Sequence, residues 1–337
     1  MVVLDCYKIQ RMQTKKQDYR QPNSATKKIL ICGGAGYVGG YLTDLLTQNG
    51  YLVTVYDNLT YETQYRKDVP FIFGDIRDRE KLALLIPNFD VIIWLAALVG
   101  DEVCEIHSTT TTEINVSSVR WLVENYKGKL VFMSTCSVYG SNENLVDETS
   151  ELNPLSHYAR TKLQAEKIIA EQAKDYLVFR LGTLYGISDI YSRLRLDLVV
   201  NVLTKKATLG EHLIVFGGGQ WRPLLHVKDV AEAVLFGIQN NLTGLYNLSN
   251  ENCRIRDIAG EIKKVIPDMT IKYVNKKFED LRNYRVIADK FKSHGWKPKY
   301  NLEHGIREIF QIIQEKRIKD PEHIQYSNVA YLRDKIL

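Results

Sequence analysis

Tyr158 and Lys162 stand four residues apart in a segment with helical periodicity, so they share one helix face. An ammonium beside a phenol favours the phenolate, drawing the tyrosine from its usual value of about 10 toward the working range of a general base. Just upstream, Met133-Ser134-Thr135-Cys136-Ser137 closes an apolar run. There the Thr135 hydroxyl could hold an alcohol while Tyr158 takes its proton. The chain contains 20 tyrosines, so a Tyr-xxx-Lys match alone reads better as a solvated helix pair. It gains weight only from the glycine motif near the start of the chain.

Residues 30–40 read LICGGAGYVGG, with Gly33, Gly36 and Gly39 at three-residue spacing. The first glycine lets a turn close after a strand, the second clears space for a pyrophosphate, and the third lets helix and strand pack closely. The phosphates would then lie at a helix N-terminus, where free N–H groups and the helix dipole favour negative charge. Asp57 ends the next apolar run, roughly 20 residues on, where an acidic side chain accepts hydrogen bonds from an adenosine ribose. A carboxylate there also repels a 2′-phosphate, which favours NAD over NADP. The alternative is a turn residue in Asp57-Asn58.

The elements that would position these groups alternate along the chain. Apolar runs predict strands over 28–31, 51–56, 69–73, 91–95, 130–133 and 176–180, with helices over 37–46, 113–126 and 157–174. The runs are continuous rather than alternating, which predicts a parallel, doubly wound α/β sheet covered on both faces. Ligands of such sheets bind beyond the carboxyl ends of the strands, where each of these motifs falls.

Composition narrows the function classes. At 337 residues the chain can bury a large core, and its net charge of +5 is spread among 40 acidic residues, leaving no stripe suited to nucleic acid. The five cysteines, Cys6, Cys32, Cys104, Cys136 and Cys253, show no metal-ligand spacing, so no metal is expected. Free thiols, and no apolar stretch of the roughly 20 residues a membrane span needs, suggest a cytoplasmic enzyme without a membrane partner. Residues 1–26 lack the order of a secretory signal and read as a mobile extension.

Taken together, the motifs resemble the extended short-chain dehydrogenase/reductases that act on nucleotide-linked sugars. The resemblance runs from about Lys27 to about Ile312. GGAGYVGG is similar to the family's cofactor turn, GDIRD at 74–78 to its adenine-contacting segment, and LAALVG at 95–100 to the segment beside the cofactor. It implies a Rossmann domain over 27–180 with later returns and a smaller, interleaved C-terminal substrate-binding region over 181–337. NAD would be held by Gly33, Gly36, Tyr37, Val38, Gly39, Asp57, Asn58, Asp75, Ile76, Leu95, Ala96 and Ala97, with Tyr158 and Lys162. Thr135, Tyr158 and Lys162 resemble the catalytic set. A nucleoside-diphosphate sugar would meet Thr135, Thr183, Arg195, Arg222 and Arg282, with Arg285 a weaker candidate. The resemblance also implies a homodimer built on the helices near 113–126 and 157–174.

Branches of the family differ in the fate of the keto sugar. Members that eliminate water carry an acid pair after the catalytic threonine, whereas this chain has Cys136 and Ser137. The decarboxylating branch carries a glutamate nearby. In the epimerase-reductases of the fucose pathway the cysteine would fall at Ser137, so Cys136 reads as a small loop side chain. His226 reads as structural. LAALVGDEVC, RLRLDLVVN and RNYRV are similar to a branch containing dehydrogenases that form 4-keto nucleotide heptoses for surface polysaccharides, and Thr183 stands where many epimerases have asparagine. The expectation is hydride transfer at C4, by a 4-epimerase or a C4 dehydrogenase. The alternatives are a 4-keto sugar nucleotide reductase and a non-catalytic NAD-sensing regulator.

Overall fold

The computed structural model describes residues 26–189, 191–274, 282–333 and 335, so residues 1–25 of the expected extension lie outside the described residues. Seven strands make one sheet: β1 (Lys28–Cys32), β2 (Leu52–Asp57), β3 (Phe71–Phe73), β4 (Val91–Trp94), β5 (Lys129–Thr135), β6 (Asp175–Leu181) and β7 (Gly244–Leu248). Their spatial order is β7-β6-β5-β4-β1-β2-β3, and every pairing is parallel.

Continuous apolar runs arise because both faces are covered. Ile29, Ile31, Val53, Val55, Ile93, Val131 and Phe179 pack on one side with Leu42 and Leu46 of α1 (Gly39–Gln48) and with Val230 and Val234. Leu30, Tyr56, Ile92, Trp94, Leu130, Phe132 and Val178 pack on the other with Val119 and Leu122 of α2 (Ser118–Asn125) and Ala165 and Ile169 of α3 (His157–Gln172). Alternate residues of one strand thus serve two separate cores.

Three local departures from the expected elements have clear causes. Helix α1 begins at Gly39 rather than Tyr37 because the residues before it are spent in the turn that Gly33 opens at φ +84°. The helix expected over 113–126 opens with a π-helical stretch, Glu113–Ser117, before α2. Its Asn115 clamps the backbone of Leu98, accepting from the N–H at 3.0 Å and donating to the carbonyl at 2.9 Å. The polar stretch after β5 contains a strand, Ser141–Val146, which pairs in parallel with Asn283–Val286.

The later part of the chain adds a three-stranded sheet of Glu251–Arg254, Trp221–His226 and Thr183–Tyr185, in that order, with its own core around Tyr185, Val200, Leu224, Ile258 and Ile306. No helix among the described residues is long and apolar enough to cross a membrane.

Candidate active site

β1 pairs with both β2 and β4, and the helices that follow β1 and β3 pack on opposite faces of the sheet. The crevice between these two layers opens beyond the carboxyl ends of β1 and β4, the place where such sheets bind ligands. Two adjoining clefts of about 730 and 1250 Å³ occupy it.

Asp57, Asn58, Asp75, Ile76 and Ala96 line the first cleft; Gly33, Gly36, Leu95 and Ala97 line both. A side chain at Gly33 would meet the Ala96 backbone nitrogen at 2.5 Å, so this glycine lets the two strand ends approach. At Gly36 an added Cβ would meet only the Gly33 carbonyl, at 3.1 Å, which leaves that position open toward the clefts. Gly39 lies in neither lining. An added Cβ would strike the Gly34 carbonyl at 2.3 Å, so it serves turn–helix packing.

Asp57 is both a wall and a tie. Its carboxylate accepts from the Ala35 N–H at 3.0 Å and the Leu59 N–H at 2.8 Å. Burial raises its pKa against those two bonds. Asp75 is held by a bidentate Arg77 pair and by Asn58 at 3.0 Å; the Arg77 hydrogen bond is the chief reason its pKa lies below normal. Together these contacts preset the first cleft's rim.

The second cleft gathers Thr135 from the end of β5, Tyr158 and Lys162 from α3, Tyr37 and Val38 from the glycine turn, and Thr183, Arg195 and Arg282 from the later segments. Ser156 caps α3 by accepting from the Ala159 N–H, which fixes where its first turn presents Tyr158. Lys162 reaches back to β5, donating to the Met133 carbonyl at 2.8 Å with Nζ 4.6 Å from the Phe132 ring centroid. Burial pushes its ammonium down to about 8. The Thr135 hydroxyl accepts from the Ser137 N–H at 3.1 Å and lines the same cleft as Tyr158.

Tyr158 departs from expectation. Its phenol is pushed well above the ordinary range, first by burial and then by Cys104 and Asp101, while neighbouring Thr135 and Arg195 oppose the rise. Desolvation outweighs neighbouring positive charge at this site. As it stands, the phenol is neutral.

Beneath this set lies a polar network that the sequence reading did not identify. Glu166 accepts from Arg180 Nε at 3.1 and 3.2 Å and from Nη2 at 2.8 Å, and Ser134 Oγ also donates to it. Arg180 continues to the Tyr139 hydroxyl at 2.9 Å, which donates to Asn247 at 2.7 Å. Glu166 lies one further turn along the face bearing Tyr158 and Lys162, and that spacing was the available signal.

Three of the expected cations separate. Arg195 is held by Asp197 at 3.0 Å, and Arg282 Nη1 meets Asp101 Oδ2 at 2.8 Å across the second cleft. Arg222 lines neither cleft. It lies behind Arg282 and donates to the Arg282 carbonyl, because its strand faces the pairing with Asn283–Val286 rather than the opening. Arg285 donates to the Glu143 carbonyl, also outside both linings. Cys136 is fully buried and donates to the Arg180 carbonyl at 3.2 Å, whereas Ser137 faces the cleft, 3.4 Å from the Tyr284 hydroxyl. Buried His226 bonds Glu308 at 2.9 Å, away from the clefts.

Sequence reasoning also missed Tyr61, Arg193, Tyr284 and Asn328, all of which line the second cleft. Arg193 sits two residues before Arg195 and so shares its side of an extended loop, a signal present in the sequence. Asn328 arrives from near the C-terminus, and no local pattern marks it.

A model described as the NAD dependent epimerase/dehydratase family matches residues 29–249. The dTDP-D-glucose 4,6-dehydratase of Mus musculus is 26% identical over 325 residues, covering 86% of this chain and 89% of its own. Among solved structures, UDP-glucose 4-epimerase of Thermotoga maritima with UDP-glucose aligns with a TM-score of 0.75 at 25% identity, over 86% of this chain and 99% of that one. The NAD complex of UDP-glucose 4-epimerase from Thermus thermophilus gives the same figures.

Proposed function

Because this chain belongs to the NAD-dependent epimerase/dehydratase family, and is thereby an NAD-dependent enzyme of nucleotide-sugar chemistry, we propose that it transfers hydride at C4 of a nucleoside-diphosphate sugar, as a 4-epimerase or a C4 dehydrogenase. The observation that carries this reading is the convergence of Thr135, Tyr158 and Lys162 in one cleft beside the glycine turn. The open position at Gly36 and the carboxylate of Asp57 fit a dinucleotide whose adenosine half lies in the first cleft. Bound NAD supplies the hydride acceptor.

The chain's own residues do the rest. Thr135 holds the reacting hydroxyl and Tyr158 Oη receives its proton. The desolvated phenol becomes a base only as positive charge reaches it. Lys162, fixed by the Met133 carbonyl, keeps N–H groups for a ribose. Arg195 and Arg282, each held by a carboxylate, frame the side of the cleft where a substrate diphosphate would enter. Elimination is disfavoured: among the described residues lining this cleft the sole carboxylate is Asp101, engaged with Arg282.

Purified protein offered UDP-, GDP-, CDP- and dTDP-sugars, heptoses included, separates the outcomes. Stoichiometric NADH absorbance without an epimer identifies a dehydrogenase; an epimer without net NADH identifies an epimerase. Tyr158→Phe should lower turnover by at least about 100-fold while NADH still binds. Unchanged turnover would refute the assignment. The homodimer implied by the family would pair the outer faces of α2 and α3, which expose Arg120, Glu124, Gln164 and Lys167, and sedimentation of the same preparation reads it.

A further inference from the structure

Six described residues line both clefts: Gly33, Gly36, Tyr61, Leu95, Ala97 and Arg193. Four belong to the glycine turn and the β4 end, which form one wall of the junction. Arg193 is the sole cation among the six. It is only 3% exposed, a rare state for an arginine, and such burial is sustained by specific partners.

Hydrogen-bond partners account for one of the three guanidinium nitrogens. Nη2 donates to Asn328 Oδ1 at 2.7 Å and to the Gln325 carbonyl at 3.2 Å, and the guanidinium carbon lies 3.4 Å from the Tyr61 ring centroid. Nε and Nη1 are buried and have no hydrogen-bond partner among the described residues, and the same holds for the Tyr61 hydroxyl. Buried donors left unpaired are costly, and native proteins seldom keep them without a use. Burial brings the Arg193 pKa down to about 10, so the group remains a cation at neutral pH.

The loop carrying Arg193 is fastened to the glycine turn itself. Tyr37 Oη donates to the Gly186 carbonyl at 2.6 Å, and the Tyr41 N–H donates to Ser188 Oγ at 3.0 Å. A Cβ at Gly40 of α1 would strike Ser192 Oγ at 2.1 Å, so that glycine admits the loop. The C-terminal segment braces the other side: the Asn328 N–H donates to Asp197 at 2.8 Å and its Nδ2 to the Val99 carbonyl at 2.9 Å. The cation is thus held at a fixed place beside the phosphate turn.

We propose that Arg193, stacked on Tyr61 and braced by Asn328, binds the diphosphate of the dinucleotide opposite the glycine turn, its Nε and Nη1 donating to phosphate oxygens. The inference rests on the NAD-dependent reading above. A nucleotide sugar also carries a diphosphate, but Arg195 and Arg282 serve the second cleft alone, whereas Arg193 stands where the first cleft passes into it. A planar fork suits two phosphate oxygens, and the helix N-terminus on the far side of the turn supplies N–H groups to the same anion.

The test compares ligands with and without the diphosphate on the full-length chain. NADH is titrated by fluorescence, ADP-ribose and adenosine by competition, and UDP and GDP against the NAD-loaded protein. Arg193→Met keeps the bulk against Tyr61 and removes the donors; Arg193→Lys keeps the charge without the fork. Arg193→Met should weaken NADH and ADP-ribose by about 10- to 100-fold, the worth of one or two hydrogen bonds to a charged group, and leave adenosine within about twofold. Arg193→Lys should recover part of that loss. Equal weakening of adenosine would assign Arg193 a purely structural role and overturn the proposal, as would unchanged ADP-ribose binding. Weakened UDP or GDP with unchanged ADP-ribose would give the residue to the substrate instead. Failure of the unaltered protein to bind NADH would overturn the NAD-dependent reading itself.

Discussion

The Glu166–Arg180 pair offers a quantitative check on how the end of β5 is supported. Both side chains are about 4% exposed, and three N···O contacts of 2.8–3.2 Å join them. Burial opposes the Arg180 charge, yet the hydrogen bond and charge of Glu166 raise its pKa overall, so Arg180 keeps its charge at neutral pH. Arg180→Met leaves a carboxylate buried with only the Ser134 hydroxyl beside it, and Glu166→Leu leaves a buried guanidinium facing Tyr139. Each should cost about 3–5 kcal/mol, because an uncompensated charge remains in the core. The double variant removes both charges and leaves Ser134 without its acceptor, while Tyr139 keeps Asn247. Its cost should be about 1–3 kcal/mol, that of one unsatisfied buried hydroxyl. Equilibrium urea unfolding at pH 7 of the wild type, both singles and the double gives the coupling energy, expected to exceed about 3 kcal/mol. Additivity within about 0.5 kcal/mol, or singles costing under about 1 kcal/mol, would refute the claim that this pair is a buried, mutually dependent support.

Two further outcomes follow from titrating groups. Lys162, lowered to about 8 by burial, is an ammonium below that pH and an amine above it, so NADH affinity should fall as pH rises through about 8. Fluorescence titrations of Lys162→Met should show no such inflection, and an inflection that survives would remove Lys162 from the site. Glu308 is held down to about 2, against burial, by His226 and Lys228; burial also lowers the His226 pKa, so the imidazole acts mainly as an N–H donor and Lys228 provides the charge. A depressed carboxylate contributes stability above its unfolded pKa and loses it as pH falls through its folded one. Glu308→Gln should therefore cost about 3 kcal/mol at pH 7, with the gap to wild type narrowing below about pH 4.5 toward pH 2; a gap independent of pH would contradict the assignment.

Much of this molecule is legible along the chain because its signals are local. The apolar runs of β1, β2, β4, β5 and β6 appear within a residue or two of their expected limits, since a strand buried on both faces must be apolar throughout. Gly33 could be read because a strand-to-helix turn with φ +84° admits few other residues, and Tyr158 with Lys162 because four-residue spacing places both on one face of α3. The fate of Arg222 could not be read. Whether a strand arginine faces a cleft or a neighbouring backbone depends on the parallel pairing of Ser141–Val146 with Asn283–Val286, two segments more than a hundred residues apart.

Sequence alone therefore determined the doubly wound sheet, the glycine turn and the pairing of Tyr158 with Lys162 on one helix face, each written in periodicity or short spacing. Tertiary structure decided what surrounds them. It desolvated Tyr158 so that its phenol titrates above its ordinary range rather than below it, set Glu166 and Arg180 against Ser134, and brought Asn328 from near the end of the chain to brace Arg193. Desolvation and long-range hydrogen bonding depend on what packs around a group in three dimensions, and a one-dimensional pattern does not carry that information.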